Sequence, residues 1–302
     1  MPSPLSPLRD QLLDTVLGSE EAVDLLLIAL LARGHALVTG PPGIGKTTLA
    51  HTLATSLSGQ FKRVQFTPDL LPSDILGYNL CQPQTGEFNF IAGPVFANLL
   101  LADEINRASP RTQSSLLEAM NERQVTIDGE TRPLPNPFMV VATQNDSSST
   151  GTFPLPEPQL DRFLLSIPMS LPNDDTQLAI LRFHSEQLEK TEASKILSLE
   201  ELRKLQDESA AMPVSDNLQR YLLSLCQAVR TVLGNDHSIS TRATLALQRA
   251  AQASAMLDGQ KAVLPDHVQT VFPHVLRHRL LSEETPDPEN LLLSAIKLTP
   301  VP

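Results

Sequence analysis

Gly40-Pro-Pro-Gly-Ile-Gly-Lys-Thr47 has the GxxxxGK[ST] spacing of a phosphate-binding loop. Glycines at those positions let backbone N–H groups turn toward phosphate oxygens, and a following helix adds the partial positive charge of its N-terminus. Lys46 would reach the β- and γ-phosphates of a nucleotide, and Thr47 would hold Mg²⁺. Gly40, Pro41, Gly43, Ile44, Gly45, Lys46, Thr47 and Thr48 are therefore the candidate ATP-contacting residues. Downstream, Leu99-Leu-Leu-Ala102 runs directly into Asp103-Glu104. Many strands end in a solvated charge, so an acidic pair after four apolar residues says little alone. Beyond a phosphate-binding loop, at the carboxyl end of a parallel strand, it lies in the crevice where such folds take ligands. Asp103 then joins Thr47 as a candidate magnesium ligand, and Glu104 can orient and polarise an attacking water.

Such residues need strands that end together, and the first half of the chain supplies them. Ser19 can cap a helix whose first turn carries Glu20 and Glu21. His35–Thr39 reads as a short buried strand, followed by the glycine-rich turn and a helix from Lys46 to Leu57. Arg63–Thr67, Leu99–Ala102, Phe138–Thr143 and Leu164–Pro168 read as four more strands. Ser109-Pro110 starts a helix with a cap followed by proline. Asp128-Gly129 suits the tight turn of a hairpin between Gln124–Ile127 and Glu130–Arg132. Residues 68–98 hold seven Gly or Pro at positions 68, 72, 77, 83, 86, 93 and 94, which predicts a long insertion with little regular structure. Strands separated by helices mean a parallel sheet covered on both faces.

After about Ser170 no strand is expected. Asn173–Leu188, Ser198–Asp207, Asn217–Leu233, Arg242–Leu257 and Asp266–Leu276 read as amphipathic helices, with a capping box at Ser198 and Glu201 and a stop at Gly259. The expected architecture is α/β: a nucleotide-binding αβα domain with a five-stranded parallel sheet over residues 1–170, then a small all-α domain over residues 171–302.

The 302 residues are 41% hydrophobic and 19% charged, a globular composition. Twenty-three basic against 34 acidic side chains leave a formal charge of −11, which argues against a uniformly basic nucleic-acid or membrane binder. Ten Phe, two Tyr and no Trp leave few groups for stacking bases. Cys81 and Cys226 show no CxxC spacing, so a buried free thiol is the simplest expectation for each. The longest apolar stretch, Ala22–Ala32, carries Asp24 and is too short to span a bilayer. Lacking a basic n-region before it, it is no signal peptide, and a cytoplasmic protein is expected.

Longer strings carry a family resemblance. The phosphate loop, Leu-Leu-Leu-Ala-Asp-Glu-Ile-Asn-Arg-Ala108, Ser-Leu-Leu-Glu-Ala-Met-Asn-Glu-Arg-Gln-Val-Thr126, Ala-Thr-Gln-Asn145 and Pro-Glu-Pro-Gln-Leu-Asp-Arg-Phe163 resemble the MoxR family of AAA+ ATPases. So do Gln-Phe-Thr-Pro-Asp-Leu-Leu-Pro-Ser-Asp74 and Val-Leu-Arg-His-Arg-Leu280; the likeness runs from about Gly18 to Leu281. It implies an AAA+ domain followed by a helical lid. Asn145 takes the place of the sensor-1 residue that helps position the lytic water, an amide able to donate and accept. Arg162 resembles the arginine finger that reaches a neighbouring subunit's γ-phosphate, and Arg242, in Ser-Thr-Arg-Ala243, resembles sensor 2. Arg107 is a weaker candidate for facing a neighbour.

Two departures stand out: Ser-Thr-Arg-Ala replaces the commoner Ser-Pro-Arg-Ala, and Asp146–Thr150 replaces Pro-Ile-Glu-Gln-Glu after Asn145. The insertion and the Asp128-Gly129 hairpin resemble the helix-2 insert and pre-sensor-1 hairpin of an AAA+ branch. That branch also holds magnesium chelatase motors and nucleic-acid translocases, which stand as alternatives. The resemblance implies a homo-oligomer, expected to be a hexamer. It would use Mg·ATP to remodel or mature a protein client, together with a partner bearing a von Willebrand factor A domain. An acidic hairpin tip at Asp128-Gly129-Glu130 repels phosphate and disfavours a nucleic-acid track. Phe88, Phe90 and Ile91 form an apolar cluster on the insertion, where a client could bind.

Overall fold

Apolar runs of four or five residues are too short for helices and suit strands covered on both faces. The computed structural model describes residues 5–145, 151–186, 195–233, 239–280 and 288–302. Helices α1 (Ser6–Thr15) and α2 (Glu20–Leu31) lead into β1 (Ala36–Thr39). The loop helix α3 (Lys46–Ser56) is followed by β2 (Phe61–Gln65), a short α4 (Pro72–Leu76), and the strands β3 (Gly77–Cys81), β4 (Phe88–Ala92) and β5 (Leu99–Asp103). Then come α5 (Pro110–Glu122), β6 (Gln124–Ile127), β7 (Glu130–Pro133), β8 (Met139–Gln144), the single turn α6 (Glu157–Leu160) and β9 (Leu165–Pro168). Helices α7 (Asp174–Glu186), α8 (Leu199–Ala210), α9 (Asp216–Leu233), α10 (Thr241–Leu257), α11 (Pro265–Leu280) and α12 (Glu289–Leu298) complete the described chain.

The main sheet runs β2-β5-β8-β1-β9, and every pair is parallel. Thr39 stands opposite both Gln144 and Pro168, so the loop after β1 opens between the carboxyl ends of its two neighbours. Alternate residues feed two cores. Ala36, Val38, Leu99, Leu101, Val141 and Ile167 pack under α1, α2, α3 and helices of the lid. Leu37, Leu100, Ala102, Val140 and Ala142 pack under α5. One sheet is therefore clamped between helical layers, which holds its carboxyl-terminal edge rigid.

Several expectations need correction. Residues 68–98 are not irregular: α4 and the antiparallel β3–β4 hairpin occupy most of them. The glycines serve close backbone approach rather than disorder. A Cβ on Gly93 would sit 2.2 Å from the Ile75 carbonyl oxygen, so only glycine fits where the hairpin closes on α4. Cys226 is buried, but Cys81, on β3, is exposed. Ser19 occupies the N-cap of α2 without a side-chain cap hydrogen bond. The edge strand β2 begins at Phe61 and ends at Gln65, two residues early, although the fully buried Phe66 still donates its N–H to the Asp103 carbonyl of β5 at 2.8 Å. α1 and α12 carry no strong signal; α1 forms despite its proline-rich start because Leu8 and Leu12 fill the larger core. Residues 187–188 of the expected helix and the Asp146–Thr150 segment lie outside the described residues.

Candidate nucleotide-binding and hydrolysis site

The loop after β1 turns on glycines. Gly40 has φ 142°, and a Cβ there would meet the Met169 carbonyl oxygen at 2.1 Å, so the loop is pressed against the segment after β9. Gly45, at φ 94°, takes the left-handed N-cap position of α3 and starts the helix with its N–H groups facing the crevice. Lys46 follows, only 6% exposed. Its ammonium donates to the carbonyl oxygens of Gly40, Pro41 (3.0 Å) and Gln144 (3.4 Å) and to Asn145 Oδ1 at 2.7 Å. A cation at a helix N-terminus, ringed by backbone, is a place built for an anion.

Asp103, at the end of β5, is 5% exposed and tightly held. The Thr143 hydroxyl donates to its Oδ1 at 2.6 Å, and Arg63 donates to Oδ2 at 2.7 Å. Thr47 Oγ1 lies 3.3 Å from both carboxylate oxygens. A hydroxyl and a carboxylate side by side form the hard-oxygen pair that magnesium prefers, so these residues fit that ion.

Glu104 is a positive-φ residue (55°) at the turn leaving β5, which swings its side chain across the sheet edge. Its backbone N–H donates to Thr143 Oγ1 at 2.8 Å, so one hydroxyl orders both acids. Asn145 Nδ2 donates to Glu104 Oε1 at 2.8 Å, while Gln65 and Arg107 donate to Oε2 at 3.1 and 3.0 Å. Asn145 thus bridges the Lys46 ammonium and the Glu104 carboxylate. Arg107 pairs with the Glu104 of its own chain. Thr143, Arg63 and Gln65 escaped the sequence reading. The only signals were the threonine inside Ala-Thr-Gln-Asn145 and polar side chains two apart on an edge strand.

The other two candidate arginines are not brought to this crevice. Arg162 precedes β9, and Leu164 N–H donates to the His35 carbonyl at 2.8 Å, which places this turn at the amino-terminal edge of the sheet. The strands β1 and β9 are four residues long, so about 13 Å of strand separates that edge from the phosphate loop. Arg162 Nη1 donates to the Leu117 carbonyl at 2.6 Å, and its Nε is buried without a partner. Arg242 starts α10 on the same edge, 4.0 Å from Asp161. Asp161 also holds the buried Arg279 of α11 at 2.8 Å. Burial pulls the Arg279 guanidinium below its usual value, and the hydrogen bond and charge of Asp161 push it back up. Arg279 donates as well to the carbonyls of Phe163 (2.7 Å) and Leu164 (3.3 Å), fastening α11 to the turn that carries Arg162.

Comparison with known proteins identifies the family and the fold. Residues 35–165 match the model of the ATPase family associated with various cellular activities (AAA), and residues 227–294 match the AAA lid domain. The uncharacterised protein YeaC of Bacillus subtilis is 42% identical over 88% of this chain and 83% of its own. The chaperone MoxR1 of Mycobacterium tuberculosis is 42% identical over 88% of this chain and 72% of its own. A crystal structure from Cytophaga hutchinsonii, described as a candidate ATPase, superposes with a TM-score of 0.89 at 34% identity, covering 99% of this chain and 95% of that one.

Proposed function

The chain belongs to the MoxR family of AAA+ ATPases, and from that premise we propose that it couples Mg·ATP hydrolysis to remodelling a protein client as a homo-oligomer, a hexamer by family likeness. The observation that carries the chemistry is the Lys46–Asn145–Glu104 chain, because one amide ties the phosphate-binding cation to the acid that handles water. Lys46 and the N–H groups of α3 bind the β- and γ-phosphates. Glu104, the catalytic carboxylate, accepts a hydrogen bond from the attacking water and aligns it; Asn145 fixes the rotamer in which it does so. Thr47 and Asp103 would hold magnesium, which supplies charge neutralisation to the phosphates when bound.

Arg162 and Arg242 lie a full strand length from the loop of their own chain, and a guanidinium stabilises transition-state charge only when it touches the phosphate. In this proposal both act on the nucleotide of a neighbouring copy. For the client, the tip Asp128-Gly129-Glu130 supports protein over nucleic acid: Asp128 accepts from Asn79 at 2.8 Å, and Glu130 neutralises Arg132. Phosphate would gain nothing from docking there. A partner bearing a von Willebrand factor A domain and a cytoplasmic setting complete the proposal, on family likeness. Among the described residues no helix is long and apolar enough to cross a membrane.

Mixing two inactive proteins tests the shared site. Arg162→Ala retains its own phosphate loop, and Lys46→Ala retains its arginines; some interfaces of a mixture pair an intact loop with an intact arginine. Hydrolysis by the mixture should rise severalfold above the sum of the two alone. A mixture no more active than that sum means that copies share no site.

A further inference from the structure

The amino-terminal edge of the sheet carries more arginine than two candidates account for. A groove of about 350 Å³ between that edge and α10 is lined by six arginines (33, 123, 162, 242, 249 and 279) and by one carboxylate, Asp161. In a chain of net charge −11 this is a concentrated reversal of sign. Asp161 is already committed to Arg279 and lies at 4.0 Å from Arg242. Arg33 is paired with Asp207 at 2.7 Å and with Gln206 at 3.2 Å. Among the described residues the Arg123 guanidinium donates to the Arg33 carbonyl at 3.3 Å and pairs with no carboxylate, and Arg249 has no hydrogen-bond or ion-pair partner. Arg162 Nε, buried and unpartnered, belongs to the same groove.

Arg33 and Arg123 stand at the carboxyl ends of α2 and α5, where a cation offsets the helix dipole. That does not account for Arg249, in the middle of α10, two turns after Arg242 on the same face. Seven residues place the two roughly 10 Å apart along the helix, so one ligand with several anionic groups can meet both. Guanidinium forks suit the bidentate geometry of phosphate oxygens. We infer that Arg123 and Arg249 are further interface-crossing arginines, which with Arg162 and Arg242 grip the phosphate chain of the nucleotide bound by a neighbouring copy. The inference rests on the shared site proposed above. Partial loss of water, then the charges of Arg33 and Arg249, hold the Arg123 guanidinium below its usual value, a repulsion that an arriving polyphosphate relieves.

Arg123 sits at φ 53°, a conformation glycine adopts freely, so Arg123→Gly removes the guanidinium without straining the turn. Arg249→Gln does the same on a helix surface. In each variant the affinity for a fluorescent ATP analogue should stay within about twofold, because its own phosphate loop is untouched. Hydrolysis should fall at least about tenfold, below the full effect of an arginine finger. Mixing either variant with Lys46→Ala should restore activity, as mixing Arg162→Ala does. Hydrolysis within twofold of the parent overturns the inference. So does recovery with Arg162→Ala but not with the new variants, which makes their role internal to one chain. Loss of the oligomer without nucleotide, seen by sedimentation, also overturns it and assigns the groove to a neighbour's carboxylates. If Arg162→Ala itself fails to complement, the shared site falls and this inference with it.

Discussion

Glu104 is held by three donors, from Asn145, Gln65 and Arg107, and each contact survives or weakens in a way that can be read separately. Glu104→Gln preserves size but removes the basic oxygen, so nucleotide affinity should persist while turnover drops at least about tenfold. Lys46→Ala should instead weaken nucleotide binding itself, since its ammonium is the buried charge of the loop. Full turnover by Glu104→Gln would remove it from the water-handling role. The loop and the acidic pair could be read from the chain because their members are covalent neighbours at fixed spacing. Thr143 and Arg63 could not, since they reach Asp103 only through the parallel register of β8 and β2 with β5. For Asn145 the sequence offers a resemblance and an amide able to donate and accept, but not its two partners, Lys46 and Glu104. Arg123 lies inside a family-like string, but nothing in a linear string announces that three helix ends converge.

At the level of elements, the two hairpins that leave the sheet are joined. Asn79 of β3 donates to Asp128 at the tip of the second hairpin, and Arg132 of β7 stacks 4.1 Å from the Phe90 ring centroid. Phe90 also meets Phe96 edge-on at 5.5 Å. The apolar cluster on the insertion therefore divides: Phe90 is an internal strut, whereas Phe88 is 70% exposed. Phe90→Ala should cost on the order of 1–2 kcal/mol, from lost ring contacts and the lost cation–π stack. Amide hydrogen exchange should then quicken in both hairpins, although the substitution lies in only one. Phe88→Ala should leave exchange and stability nearly unchanged. Exchange confined to β3–β4 after Phe90→Ala would mean the hairpins move independently. The second hairpin could be read from Asp128-Gly129; the first could not, because glycines needed for close approach look the same in sequence as glycines that break structure.

Across the whole molecule, buried imidazoles pin layer to layer. His35 Nδ1 accepts from the Val140 N–H at 2.9 Å, so its Nε2 carries the proton and faces the Met120 carbonyl at 3.2 Å, tying β1 to β8 and α5. His278 of α11 faces the Phe163 carbonyl in the same uncharged manner. Burial lowers His35 to about 4 and His278 well below the usual imidazole value. The unfolded chain protonates near 6.5. Stability should therefore be full above that pH and decline as pH falls toward 4, with His35 alone accounting for about 3 kcal/mol across the window. Urea midpoints at pH 7.5 and 5 would measure the loss, and His35→Gln should make it smaller, leaving the share of His278. A profile flat down to pH 5 in the parent protein would contradict the burial argument. The order of strands followed by helices could be read from periodicity, but not the merging of the lid with α1–α3 into one core, since that packing joins residues far apart in the chain. The loop that takes phosphate and the arginines proposed to complete its chemistry stand at opposite ends of the same short strands, too far apart to meet within one molecule. On that proposal a lone copy holds fuel without burning it, and dilution alone idles the machine: crowding together is the ignition.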